Sequence, residues 1–371
     1  MNIKSIIERE GIKLVQDGRY LVGKSPFTTS RLPLLVVDEE NQTFTCMGSG
    51  ISGDAISFIE NLKGISKESA ELQVNGGTRP AETEEERLLK KICSDANKYY
   101  KEKIKKSKAA NEYLESRGFS KEEIETFDFG YAPNYGNSLY KHLLQTYKRE
   151  DILKTGVCKV DNEGKTVDLL WKRITIPIRN SDGDVIAFGG RVLDNGTPKY
   201  INSPETPIFR KREILYGYNV AKDSKCNAYI ICEGYMDCIS LHKAGLTNAV
   251  ASLGTALTKA QCELLTNKKR VYVLYDTDTA GINATKKAVP LLEKIGLETR
   301  IIDYSPYKDP DEFIRKEGVD NFRELFKEYD QGERFIVEKL IEEDVKKAVR
   351  YLNMMSTDKI IDLTRKENRY V

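Results

Sequence analysis

The chain has 371 residues, 40% hydrophobic and 31% charged, with a net charge of only +2. That length allows two to three domains with a sizeable core, and the near-neutral balance names no partner by itself. No apolar run reaches the roughly 18 residues that span a bilayer, Met1-Asn2-Ile3-Lys4-Ser5 carries no signal-peptide core, and the seven cysteines contain no C-x-x-C pair, so we expect no membrane association, no disulfide framework and a cytoplasmic setting.

Residues 1–75 read as a small β-ribbon followed by a helix. Leu34-Leu35-Val36-Val37 and Thr43-Phe44-Thr45-Cys46 are strand candidates, joined through a Gly-rich turn at 47–53 to a helix from Ala55 to Leu62. Asp54 stands where an N-cap belongs. So few large residues make a poor core, and a structural staple is expected. Val74-Asn75-Gly76-Gly77-Thr78-Arg79-Pro80 is a turn-rich boundary. Residues 76–110 form a helical linker, with a charged helix from Glu82 to about Ala110. Its lysines at 98, 101, 103, 105, 106 and 108 read as a solvated face, with nucleic-acid contact as the other reading.

Residues 111–222 follow. Gly118 ends one helix, and Ser120 with Glu123 forms a capping box for the next. Arg173-Ile174-Thr175-Ile176-Pro177-Ile178-Arg179 alternates as a strand. Asn180 to Asp184 is a hairpin turn, and Val185 to Arg191 the return strand. Lys199-Tyr200-Ile201-Asn202 and Arg210-Lys211-Arg212 come next. Basic side chains interleaved with aromatics suit phosphate binding, and Gly189-Gly190 permits close backbone approach. No G-K-[ST] follows, so this is not a Walker A loop. On charge alone, a polar outer sheet face explains the segment as well.

Residues 223–330 repeat one pattern: an apolar strand, then carboxylates, then a helix. Tyr229-Ile230-Ile231-Cys232 runs into Glu233-Gly234-Tyr235-Met236-Asp237. Val271-Tyr272-Val273-Leu274-Tyr275 runs into Asp276-Thr277-Asp278-Thr279-Ala280-Gly281. Glu298-Thr299-Arg300-Ile301-Ile302 precedes Lys308-Asp309-Pro310-Asp311. The pattern predicts a parallel sheet whose strand ends present acids to one pocket. Mutually repelling carboxylates need a counter-charge, and Mg²⁺ takes such oxygen ligands. An EF-hand is excluded because Ala280 and Lys287 stand at loop positions that need ligands. The two histidines, His142 and His242, supply no Ser-His-Asp or His-rich metal mechanism. Residues 331–371 close the chain as a helical segment. Amphipathic helices are expected over Asn321–Tyr329 and Gly332–Tyr351.

The three acidic motifs resemble those of a TOPRIM domain. With Ser252-Leu253-Gly254-Thr255-Ala256 between the first two, and the wording of 188–193 and 199–206, the chain is similar to bacterial (DnaG-type) DNA primases. The resemblance implies an α/β fold: a TOPRIM parallel-sheet domain joined to a basic α+β primase subdomain, with a small N-terminal β-ribbon domain. It implies primer synthesis on single-stranded DNA from ribonucleoside triphosphates, with an RNA primer as product and a replicative helicase as a further partner. Glu233, Asp276 and Asp278 would be catalytic and hold Mg²⁺ or Mn²⁺, with Asp237, Asp309 and Asp311 completing the metal pocket. Arg173, Arg191, Lys199, Asn202 and Lys211 would line the nucleic-acid and nucleotide groove. An Arg-Phe pair common in the family is replaced by Leu169-Leu170-Trp171-Lys172.

The N-terminal segment resembles the family's zinc ribbon, but the ligand-equivalent positions read Ser25, Thr28, Cys46 and Ser49. A structural zinc needs four N or S ligands, so a degenerate, zinc-free ribbon is expected. The family's helicase-binding domain does not fit in the roughly forty residues left at the end, against typical domain sizes. The competing readings are a TOPRIM nuclease, a topoisomerase-like cleavage enzyme, and a non-catalytic or regulatory nucleic-acid-binding relative.

Overall fold

The computed structural model describes residues 2–353 and 355, apart from 31, 66, 76–81, 135, 195 and 255. The Gly-rich boundary at 76–80 and the segment 356–371 lie outside the described residues. The chain divides into two compact units, Met1–Thr83 with Thr258–Leu264, and Glu84–Leu257 with Leu265–Val371.

The first unit begins with α1 (Ile3–Arg9) and an antiparallel sheet of β1 (Leu14–Asp17), β2 (Tyr20–Gly23), β3 (Leu35–Asp38), β4 (Thr43–Cys46) and β5 (Ser52–Gly53), paired in that order. Helices α2 (Ala55–Lys63) and α3 (Lys67–Val74) follow. In β4 the period of two puts Phe44 and Cys46 inward and Thr43 and Thr45 outward. Asp54 caps α2 by accepting from Ser57 N at 2.8 Å, and Gly64 ends it at φ +61°. Phe44, Phe58 and Phe27 stack with ring centroids 5.1 to 5.8 Å apart. Each fully buried phenylalanine contributes roughly 1.5–3 kcal/mol, so aromatic packing supplies the core this small unit needs.

The second unit opens with α4 (Glu84–Ile104), whose Ile92, Cys93, Ala96, Tyr100 and Ile104 form a buried stripe. The expected single helix to Ala110 stops instead at Ile104. Ser107 caps a new helix, α5 (Lys108–Ser116), by accepting from Ala110 N at 3.3 Å. Thus α4 is half core, and lysines on and just after it are paired: Lys98 with Asp95 and Lys105 with Glu102 nearby, and Lys101 with Asp128 27 residues on. The capping box of α6 (Lys121–Thr126) forms as expected from Ser120 and Glu123.

Next come β6 (Gly130–Ala132), α7 (Ser138–Leu143), α8 (Arg149–Lys154) and the small hairpin β7 (Cys158–Val160) and β8 (Thr166–Asp168). Strands β9 (Arg173–Arg179), β10 (Val185–Val192) and β11 (Tyr200–Asn202) complete an antiparallel sheet in the order β11-β10-β9-β6. The core on this sheet continues into the following layer, because Ile174, Ile176 and Phe129 share one cluster with Tyr235, Met236 and Ile239.

After α9 (Tyr218–Ala221) the parallel sheet begins with β12 (Ala228–Cys232), α10 (Tyr235–Lys243) and β13 (Ala249–Ala251). It continues past α11 (Lys259–Glu263) with β14 (Arg270–Leu274), α12 (Thr279–Lys294) and β15 (Glu298–Ile301). The order is β13-β12-β14-β15, with β16 (Asp330–Gln331) antiparallel at the edge. The chain leaves β12 toward one edge and β14 toward the other, so the switch point lies between these adjacent strands. That crevice is where open α/β sheets bind ligands.

The last elements are α13 (Pro310–Glu317), α14 (Val319–Glu324), α15 (Gly332–Glu343) and α16 (Val345–Leu352). Here the expectation was too coarse. Asn321–Tyr329 holds only the end of α14 and a 3₁₀ turn, and Asp344 divides the other predicted helix by capping Lys346 N at 2.9 Å. Among the described residues no helix is long and apolar enough to cross a membrane.

Candidate active site

Glu233 follows the last residue of β12, and Asp276 lies two beyond β14; Cys232 and Leu274 are register partners, so both acids emerge at the switch point. Glu233 Oε1 accepts from Asp276 N at 3.3 Å. The loop after β14 is wrapped tightly onto the first turn of α12. A Cβ on Gly281 would lie 1.9 Å from the Asp276 carbonyl oxygen, so this position takes no side chain. Asp278 caps α12 with Oδ1, accepting from Ala280 N and Gly281 N at 3.0 Å each. Its Oδ2 is left for another partner.

That partner is a cation. Lys308 Nζ lies 3.1 Å from Asp278 Oδ2 and 3.3 Å from Asp276 Oδ2. The two carboxylates therefore converge on one positive charge, with Glu233 beside them. Burial raises the pKa of Glu233, and Asp276 adds to the rise. Burial also raises Asp276, against the pull of Lys308. Asp278 is lowered, by the Gly281 N–H first and Lys308 second.

Among the described residues no three His, Cys, Asp or Glu side chains cluster closely enough to hold a metal ion as they stand. The donor set nevertheless fits a hard cation. Two carboxylates already share a positive charge, and a third sits one hydrogen bond away.

The other predicted acids part company. Asp237, in the first turn of α10, is half-buried. Burial raises its pKa well above the usual range, with Asp309, Asp276 and Asp311 adding to the effect. Asp309 is the N-cap of α13, accepting from Glu312 N at 2.7 Å. Asp311 is 1% exposed. It pairs with Arg117 and with Arg315 Nε at 3.1 Å, and accepts from Ser240 Oγ at 2.5 Å.

The basic residues divide in the same way. Arg173 and Arg191 are each 7% exposed, with their guanidinium groups held by neighbours in the chain. Arg173 donates to the carbonyls of Gly190, Lys199 and Pro198 at 3.1, 3.2 and 2.8 Å. Arg191 hydrogen-bonds the hydroxyls of Tyr113 and Tyr200 and lies 5.5 and 5.0 Å from their ring centroids. Both arginines stitch the sheet edge. Asn202 accepts from the Tyr235 hydroxyl and donates to Leu253 O at 3.4 Å. Leu253 itself sits at φ +61°, unusual for a branched residue. Lys199 is exposed, and Lys211 is partly so. Burial of its ammonium lowers Lys199, as do Arg191, Arg117 and Lys308, so these cations share one region beside Asp309. Burial likewise lowers Lys211.

Sequence reasoning missed Lys308 and Arg117. Lys308 carried a signal, since a cation adjoining an acidic motif is a ready counter-charge. Arg117 carried none, because its partner is 194 positions away.

In the first unit, Ser25 Oγ and Cys46 Sγ are 3.0 Å apart and buried. Thr28 Oγ1 is buried and has no hydrogen-bond partner among the described residues. Ser49 Oγ lies 3.4 Å from Ile51 N. Burial pushes the Cys46 thiol up, but hydrogen bonds with Ser25 and Ser49 outweigh it and bring the pKa to about 7. One thiol among hydroxyls does not fit a structural zinc.

Three family models match the chain: "CHC2 zinc finger" over residues 1–78, "DNA primase catalytic core, N-terminal domain" over 99–222, and "Toprim-like" over 230–314. A DNA primase from Halalkalibacterium halodurans is 35% identical over 335 residues, 85% of this chain and 55% of that protein. The chain thus spans little more than half of that relative. A crystal structure of the zinc-binding and RNA polymerase domains of Aquifex aeolicus primase is 33% identical, with a TM-score of 0.66. The similarity covers 98% of this chain and 93% of that one. A DnaG primase catalytic domain bound to ssDNA is also 33% identical, with a TM-score of 0.63 over 70% of this chain and 84% of that one.

Proposed function

The chain belongs to the family of DnaG-type bacterial DNA primases, and from that premise we propose that it makes short RNA primers on single-stranded DNA by metal-dependent nucleotidyl transfer. The observation that carries this reading is the convergence of Asp276 and Asp278 on one cation at the switch point of the parallel sheet.

Asp276, Asp278 and Glu233 are the residues that would hold Mg²⁺ or Mn²⁺. A divalent cation there supplies activation of the primer 3′-hydroxyl and charge neutralisation on the departing pyrophosphate. Asp278 is oriented for this by its helix cap, which leaves one oxygen directed at the cation. Asp237 and Asp309 tune the pocket's charge from behind. Lys199 and Lys211 hold the phosphates of template and triphosphate without reading bases. Arg173, Arg191 and Asn202 fix the sheet edge that presents them.

The ribbon works without zinc. Its donor set offers one thiol, and the Phe27-Phe44-Phe58 cluster supplies the packing that a metal staple otherwise provides. Template DNA, ribonucleoside triphosphates and the nascent RNA are its partners. A reducing, cytoplasmic compartment suits seven cysteines without a disulfide among them.

The test is incorporation of labelled ribonucleotides on single-stranded DNA with Mg²⁺ or Mn²⁺, beside an Asp276→Asn control. Short RNA that vanishes in the variant supports the reading. Metal-dependent DNA cleavage without RNA synthesis would replace it with a nuclease, and DNA binding with neither activity would point to a regulatory relative.

A further inference from the structure

We propose that Lys308 is the resident counterion of the Asp276–Asp278 pair, and that a divalent cation enters the seat only by displacing its ammonium. The inference rests on the metal assignment made above.

The placement of Lys308 is imposed by its backbone. Its carbonyl accepts from Thr277 N at 2.9 Å, so it is tied to the residue between the two aspartates. Thr277 Oγ1 also donates to Tyr307 O at 2.9 Å. On the other side, Lys308 N donates to Glu312 Oε2 at 3.0 Å, and Asp309 is committed to capping α13. With both flanks held, the freedom that remains is in the side chain. That side chain is 57% exposed and has solvent to swing into.

The charges make the exchange sensible. Two carboxylates sharing one ammonium keep a net negative charge, and a divalent ion balances them fully. Without the ammonium, Asp276 and Asp278 repel each other across a partly buried seat; with it, the seat stays assembled. Seat and competitor are joined in one chain, so the competition is intramolecular and independent of protein concentration. Each half-exposed contact is weak, so the competitor is one that a metal overcomes.

The test is calorimetric titration of Mn²⁺ into the metal-stripped protein and three variants. Lys308→Gln removes the competitor and should bind Mn²⁺ about three- to thirtyfold more tightly, the range set by two exposed ion pairs. In chelator its melting temperature should fall below that of the unaltered chain and recover with Mn²⁺. Lys199→Gln removes a neighbouring positive charge that touches neither aspartate, and should change the affinity by much less. Asp276→Asn should lose the binding. Unchanged or weaker Mn²⁺ binding in Lys308→Gln overturns the proposal, as does an equal gain in Lys199→Gln, which would reduce the effect to bulk charge. Undiminished binding in Asp276→Asn sinks the metal assignment itself, a separate failure. Lys308→Met repeats the measurement with an apolar side chain of similar length.

Discussion

Arg117 and Asp311 form an ion pair across 194 residues of sequence, joining the end of α5 to the first turn of α13. The Asp311 side chain is 2% exposed and that of Arg117 24%. Ser240 and Arg315 complete the carboxylate's partners. The basic subdomain is thereby latched to the parallel sheet next to its acidic edge. Arg117→Ala should cost about 3 kcal/mol, because it removes one partner of a buried pair. Asp311→Asn should be destabilising too, yet bind Mn²⁺ as the unaltered chain does. Denaturant melts and calorimetry check the two halves. A loss of Mn²⁺ affinity equal to that of Asp276→Asn would return Asp311 to the metal site.

Asp278 has two separable duties. Oδ1 caps α12 while Oδ2 faces the cation seat. Asp278→Asn keeps an acceptor for the cap and should lose at least about a hundredfold in primer synthesis with little change in stability. Asp278→Ala should show the same activity loss and a further cost of about 1 kcal/mol from the cap. Equal stability in the two variants would refute the division.

Arg191 and Lys199 are eight residues apart in the sequence and opposite in exposure. Arg191→Lys should destabilise the protein by about 2 kcal/mol, because an ammonium cannot bridge two tyrosine hydroxyls and stack on both rings. Lys199→Gln should leave the melting temperature unchanged. It should weaken DNA or triphosphate binding and lower the salt dependence by about one charge. Fluorescence anisotropy at several salt concentrations reads the second effect.

Cys46 should titrate near neutrality. Its folded pKa lies near 7, below the ordinary 9.0. A depressed pKa contributes stability above the unfolded value, and that contribution is lost as pH falls through the folded one. The ribbon should therefore gain stability between pH 7 and 9, and thiolate absorbance should rise with a midpoint of about 7. Ser25→Ala should move that midpoint up. Zinc-selective chelators should not shift the melting temperature of the unaltered chain. Restoring donors with Ser25→Cys, Thr28→His and Ser49→Cys should create zinc binding at one ion per chain, together with chelator sensitivity. Stoichiometric zinc in the unaltered chain would overturn the zinc-free reading.

Three strands of the parallel sheet, β12, β14 and β15, and the acids that follow them were legible because both are local, whereas the three-residue β13 carried too short a signal. An apolar run of five residues ending at Glu233 or Asp276 needs no distant partner to be recognised. The same holds for the caps at Asp54 and Ser120, where donor and acceptor are three residues apart. The α4–α5 break was missed because Ser107 lies inside a lysine-rich run whose charge pattern continues unbroken.

By itself, the sequence determined the strand-then-acid repeat and the acidic edge it builds, since both follow from residue type and spacing. Only the tertiary structure decided which charges face outward. Arg173, Arg191 and Asp311 read as site residues from the sequence, and the structure buries all three. Each is buried because a partner from a distant segment replaces the water it gives up. Lys199 stays exposed. A charge's role follows from whether burial is compensated, and that depends on contacts made only when α5, β10 and α13 have packed together.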